Sequence, residues 1–359
     1  MGLRALNNPA ASFEDPYAST GTEAYKPGPV PPSLFTVSGG NATETASGYK
    51  YFYFTSPGNL TVRTDAGPGG LEMSFMMVGG GGGATDTGSG GGGGGAFVQK
   101  VDFPVLGVPT INVNWAVSVG EGGAYPAGPT NPSDSTTFTL STIPKVFTAT
   151  GGGAGQATDG LATGGSGGGG GRNPPSGSTG GEAAVPQTID GDGNTPDAGI
   201  GYDGGNGFQN MPGPEGGTGG GGGGAGGVGA NSPTNTSFPY GQAGKGGLGR
   251  AAFLGDANIP TSYGTSGPTA GRWFAGGGGG GNHTENSPTT QLGGAAPDGG
   301  GGATGSSTAP PTTYNGTPVV ANTGGGGGGG GGVSAGYVGE GSAGADGICI
   351  VKISTDLLS

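Results

Sequence analysis

Uninterrupted glycine runs at 79–83, 90–95, 151–153, 167–171, 219–224, 276–281, 299–302 and 324–332 set the terms on which this chain can fold. Holding a glycine in a regular element costs roughly 0.5–1 kcal/mol relative to alanine, because its unfolded state is so free. Runs of this number must therefore stay unfolded or gain something that only glycine allows. A polyproline-II-type helix has three residues per turn, rises about 3.1 Å per residue and makes no internal hydrogen bonds. Its N–H and C=O groups point outward and need partners. With no side chains in the way, neighbouring helices can approach closely enough to supply them. Runs of five to nine glycines would span roughly 15–28 Å at that rise, a sensible thickness for a small domain. Glycine- and serine-rich tracts often act as flexible linkers. These runs contain little serine and have strands at both ends, which favours a packed polyglycine-II bundle.

The strands are read from alternation of period two. Over 111–119, Ile111, Val113, Trp115, Val117 and Val119 fall on one face, and Asn112, Asn114, Ala116 and Ser118 on the other. Leu71, Met73, Phe75 and Met77 share a face within 71–78, and Phe97, Val101 and Phe103 share another. Further candidates are 50–54, 60–63, 136–140 and 145–149, while 347–353 (GICIVKI) closes the chain as a strand. No convincing amphipathic helix is present. The expected fold is all-β: a small antiparallel β-sandwich enclosing a polyglycine-II bundle with long loops.

Four regions follow. Residues 1–33 read as an extended anchoring arm, interrupted at Asn8-Pro9, Asp15-Pro16 and Pro27-Gly28-Pro29. Residues 34–150 form the β-rich domain. Residues 151–346 carry most of the glycine, between segments rich in Pro, Asn, Thr, Ser and Asp. Residues 347–359 hold the closing strand, expected to return and pair with the early strands.

The formal net charge of -12 argues against a nucleic-acid backbone as partner. Arg172, Arg250 and Arg272 precede Asn, Ala and Trp, so the RGG repeats of RNA-binding glycine-rich proteins are missing. A single cysteine, Cys349, excludes an intramolecular disulfide framework. The amino terminus has no apolar stretch suited to a secretory signal, and no segment reaches the ~20 apolar residues that cross a bilayer. Leu6 stands where a myristoylation site needs Ser or Thr. Gly241-Gln-Ala-Gly244-Lys245-Gly246 lacks the spacing and hydroxyl of a phosphate loop. No enzyme is expected.

A strand (LEMSFMMV), two glycine runs and an aromatic (GGGGGATDTGSGGGGGGAFVQKVDF) are followed by the strand ending in VSVGEGG, a long glycine-run region and GADGICIVKI. This order resembles the glycine-rich domain of phage structural and fibre proteins. In design it is also similar to the polyglycine-II tail-fibre tip adhesins of T-even-like phages. The resemblance covers about residues 71–353 and implies a virion structural protein on the particle surface, a fibre or tip adhesin attaching to a host. A head-decorating or fibre-scaffold role would use the same architecture. An extracellular glycine-rich structural protein is the other alternative, although no fixed repeat period is seen. The implied partners are other virion proteins through the arm and a bacterial surface glycan or outer-membrane protein, with a homotrimer as the common fibre assembly.

If loops between glycine runs do the recognising, their aromatics are the candidate receptor contacts: Tyr202, Phe208, Phe238, Tyr240, Tyr263 and Trp273. Tyr and Trp offer rigid contact area at low entropic cost. Capping the bundle is an equal reading for Trp273. Asp190, Asp192 and Asn194 begin like a calcium loop, but Thr195 and Gly201 stand where such loops need Gly and Glu. That favours an exposed Asp turn, so no cofactor is expected. His283 has no acid or nucleophile nominated near it and reads as an exposed loop residue.

Overall fold

The computed structural model describes residues 34–65, 69–86, 88–126, 133–156, 163–172, 177–186, 194–209, 217–233, 242–284, 294–295, 315–333 and 337–359. Two five-stranded antiparallel sheets form the sandwich. The first contains β1 (Phe35–Gly39), β4 (Gly58–Thr64), β7 (Val113–Ser118), β8 (Thr136–Leu140) and β9 (Lys145–Ala149), adjacent in that order. The second runs β2 (Ala42–Ala46), β3 (Tyr49–Phe54), β17 (Ile348–Ser354), β5 (Gly69–Val78), β6 (Phe97–Val108). The closing strand β17 thus lies inside the second sheet, antiparallel to both β3 and β5.

Alternation decides what each sheet buries. Leu71, Met73, Phe75 and Met77 of β5 meet Trp115 and Val117 of β7, Phe138 of β8 and Phe147 of β9 between the sheets. The Phe75 ring stands edge-on to Phe103, Phe138 and Phe147, at centroid separations of 5.9, 5.2 and 4.8 Å. The other face of the second sheet is also buried, through Tyr51, Tyr53, Met76, Val78, Ile348 and Ile350. Burial on both faces is why 50–54 and 347–353 read as nearly continuous apolar runs rather than alternating ones.

Two expectations about faces need correction. Ile111 lies before β7 and is 71% exposed. Phe97 and Phe103 do not share a face, since Phe97 joins the outer cluster and Phe103 packs on the inner one. The cause is a bulge: Met73 pairs with Phe103 but Phe75 with Lys100, so two residues of β6 oppose one of β5. Asp102, at φ 49, takes the left-handed turn, and its N–H donates to Ser74 Oγ at 3.0 Å. A second register shift, between Gly69 and Leu71, restores the original parity. Val98, Phe103, Val105 and Val108 all reach the inner core in consequence.

At one end of the sandwich the strands run straight on into glycine. β5 continues as 79–83, β6 is preceded by 89–95, β7 continues as 119–123, and β9 as 150–156. Stacked sheets stand about 10 Å apart because side chains fill the gap. Where those side chains become hydrogens, the two layers bond directly. Gly123 N–H, beyond β7, donates to Gly81 O, beyond β5 (2.8 Å), and Gly152 N–H, beyond β9, donates to Gly80 O (2.8 Å). At the seam the buried Thr136 hydroxyl donates to Val78 O (2.6 Å) and accepts from Gly120 N–H (3.0 Å).

The segment 89–96 lies at the centre of the resulting bundle. From Gly90 to Ala96 its N–H groups go to three neighbours in strict rotation. Gly90, Gly93 and Ala96 donate to Gln156, Gly153 and Thr150; Gly91 and Gly94 to Gly220 and Gly223; Gly92 and Gly95 to Gly327 and Gly324. Its carbonyls accept from three others: Gly79 and Gly82, Ser166 and Gly169, and Gly278 and Gly281. A partner that recurs every third residue is the signature of three residues per turn, hence of polyproline-II-type geometry. The fold is therefore all-β with a polyglycine-II bundle, and no α-helix occurs among the described residues. A Cβ on Gly90 or Gly92 would lie 1.9 or 2.0 Å from the carbonyl oxygen of Gly169 or Gly82, so this packing admits glycine alone.

Candidate functional site

The bundle has a proximal end, where the strands enter, and a distal end around the hairpin tip at Gly88. Arg172 N–H donates to Gly88 O (3.0 Å), Ser178 N–H to Gly171 O (3.0 Å), Gly207 N–H to Ser178 O (2.9 Å) and Ser232 N–H to Asn206 O (2.8 Å). These bonds bring the ends of five segments together. A small sheet lies beyond them, in the order β10 (Phe208–Gln209), β11 (Gly217–Thr218), β14 (Asn282–Thr284), β15 (Gly332–Val333), β16 (Tyr337–Val338). Within this sheet β14 and β15 pair in parallel, and the other described pairs are antiparallel. At this end the chain leaves and re-enters the described residues at Arg172 and Gly177, Gln209 and Gly217, Pro233 and Gln242, and Val333 and Tyr337.

The proximal end carries a different structure. Between β12 (Arg250–Ala251) and β13 (Trp273–Phe274), the chain forms a strap over the outer face of the second sheet. Phe274 and Ala252 are buried in that outer cluster. Tyr263 stacks flat on Tyr53, with centroids 4.4 Å apart and planes at 8°. Lys352 Nζ binds Asp256 Oδ2 at 2.7 Å, and Tyr51 Oη donates to the same oxygen at 2.8 Å. Burial by itself would raise the Asp256 carboxyl. The bonds from Lys352, the Asn258 backbone and Tyr51 outweigh it and hold the group below the usual carboxylate range. Burial and the bond to Asp256 push Tyr51 the other way, far above an ordinary phenol. The ammonium of Lys352 also sits 4.1 Å from the Tyr49 ring centroid. A second acid, Asp197, is held low by Lys145 and Lys100, against the raising effect of burial, at 3.0 and 3.1 Å.

The six aromatic candidates are thus not brought to one place. Tyr263 and Trp273 belong to the proximal strap, where Trp273 covers Gly267 and its indole N–H donates to Thr269 O at 3.3 Å. Tyr202 lies within the bundle, its carbonyl accepting from Gly167 N–H. Phe208 is at the distal end. Phe238 and Tyr240 fall outside the described residues, as do Asp190, Asp192 and the arm 1–33. Asn194 turns its Oδ1 to Val101 N–H at 2.7 Å, extending the edge of β6. His283 lies in β14, registered with Gly217 and Gly332, rather than in a loop.

Sequence reasoning keyed to aromatics passes over the polar residues beside Phe208. A groove of about 250 Å³ opens there, lined by Ser178, Thr179, Asn206, Phe208, Asn231 and Ser232. The sequence signal for them is an Asn that ends a glycine stretch, as in Gly204-Gly205-Asn206 and Gly229-Ala230-Asn231. Each Asn extends the bonding pattern of the bundle: Asn206 Oδ1 accepts from Gly180 N–H (2.9 Å), and Asn231 Oδ1 from Asn206 N–H (2.7 Å).

A sandwich whose strands pass without a break into hydrogen-bonded polyglycine defines a glycine-built domain. The chain belongs to the glycine-rich domain family, whose sequence profile matches residues 55–354. No curated protein matches it significantly.

Proposed function

We propose that this chain is a phage virion structural protein, a fibre or tip adhesin that attaches the particle to a host surface. The observation that carries this reading is polarity. The first described residue, Leu34, bonds through its carbonyl to Asp65 N–H (2.9 Å), at the end of the sandwich away from the glycine bundle. Residues 1–33 join the chain there and serve as the attachment to other virion proteins. Segments 173–176, 210–216 and 234–241, the last with Phe238 and Tyr240, join at the opposite end and serve as the receptor-facing loops. A rigid bundle suits this use, because binding loops work best when a stiff scaffold positions them.

The test is binding of the purified, fluorescently labelled chain to cells of bacterial strains that the particle infects. Replacing 173–176, 210–216 and 234–241 with short Gly-Ser linkers should abolish cell binding while hydrogen exchange of the glycine runs stays unchanged. Undiminished binding would overturn the adhesin role and favour decoration of the head.

A further inference from the structure

We infer that the groove beside Phe208 is a binding subsite for one neutral sugar ring. The inference deepens the reading above and rests on it for the source of the sugar, a bacterial surface polysaccharide. At about 250 Å³ the groove is smaller than the roughly 300–1,000 Å³ pockets that enclose drug-sized ligands. It suits a single small ring that projects from a longer polymer. None of the six side chains named for it carries a charge. The chain's net charge of -12 disfavours polyanionic glycans as well.

Its donors are fixed in advance. Bonding of Asn206 Oδ1 to Gly180 N–H and of Asn231 Oδ1 to Asn206 N–H fixes both amide planes and leaves their Nδ2 groups as donors. Ser178 Oγ donates to Gly171 O at 2.9 Å and keeps its lone pairs. Ser232 Oγ is bonded to Thr218 Oγ1. The exposed Thr179 hydroxyl can donate or accept. Phe208, half-buried, offers an apolar ring against which the C–H face of a pyranose can pack. Rigid amides, a hydroxyl and one aromatic face match a ring that carries hydroxyl and ether oxygens on its rim. Preorganisation of this kind saves the ordering cost that weakens flexible sites.

Saturation-transfer NMR on the full chain tests this, with glucose, galactose and N-acetylglucosamine as neutral probes and sialic acid as the anionic comparison. Transfer to at least one neutral sugar and none to sialic acid is expected. Phe208→Ala and Thr179→Ala should each weaken that binding about tenfold. Thr179→Ala removes only an exposed hydroxyl, so its loss cannot be assigned to misfolding. Transfer that survives both substitutions overturns the assignment to this groove. No transfer to any neutral sugar overturns the inference too. If the same preparation still binds cells, the adhesin reading stands without it; if cell binding is also absent, both fall.

Discussion

At Gly92 the difference between hydrogen and methyl decides whether the bundle closes. A Cβ there would sit 2.0 Å from Gly82 O and 2.7 Å from Gly82 C, both backbone atoms in a hydrogen-bonded neighbour that cannot swing aside. Gly227, at the bundle's rim, is the natural control: its nearest atom is Leu248 N at 3.7 Å, an ordinary contact. Gly92→Ala should therefore cost more than about 4 kcal/mol, in the range reserved for core overpacking and broken bond networks. Gly227→Ala should stay within about 0.5 kcal/mol of the parent. Denaturant melts of the two variants check both. Similar losses would mean that glycine is present for its flexibility and not for close approach. Where a side chain does occur it has room at an end of the run: Ser89, in the hairpin tip, donates its Oγ to Thr85 O at 2.8 Å.

Among elements, the strap between β12 and β13 is tied to the sheet by one charged cluster as well as by its apolar contacts, and a pH dependence follows. Asp256 is depressed in the folded chain, so its contribution is full above the unfolded carboxylate value near 3.9. That contribution is lost as pH falls through the lower folded value. Thermal stability should be insensitive to this group between about pH 5 and 7 and decline below about pH 4. Asp256→Asn should flatten part of that decline. It should also cost about 3 kcal/mol at neutral pH, because Lys352 is left buried without its partner. Melting curves from pH 3 to 7 on both proteins give the answer, and parallel curves would show that the cluster is dispensable. The sheet elements were legible in the sequence because side-chain parity reports which face is buried, as at Leu71, Met73, Phe75 and Met77. It failed at Asp102, where a bulge shifts parity without any apolar residue marking the place. Pairing within the bundle was not legible at all. Gly91 and Gly92 are chemically identical, yet one donates to Gly220 and the other to Gly327. Register there comes from run length and from the strands to which each run is joined. The groove lining was missed for a related reason, since Asn206 and Asn231 are hydrophilic loop residues until the bundle brings their segments side by side.

At the scale of the whole molecule, Leu34–Ser359 forms one compact unit, and its two kinds of core have no linker between them. Val78 packs on the outer face of the second sheet, and Gly79 N–H, the next residue, already donates to Ala96 O inside the glycine bundle at 3.1 Å. Opening the bundle would free the ends of β5, β6, β7 and β9 together, so sandwich and bundle should unfold as one cooperative transition. Two probes report the two halves. Amides of 90–95 follow the bundle by hydrogen exchange. The thiol of Cys349, buried in β17 and pushed well above its ordinary pKa by that burial, follows the sandwich through its reaction with a disulfide reagent. Across a denaturant series, exchange at 90–95 and labelling of Cys349 should give the same opening free energy, equal to that of global unfolding. A bundle that exchanges at the rate of an unstructured peptide while Cys349 stays protected would make the glycine runs linkers hung on a sandwich. Equal protection would mean that backbone hydrogen bonds between glycines close a core as effectively as the aromatic layer around Phe75.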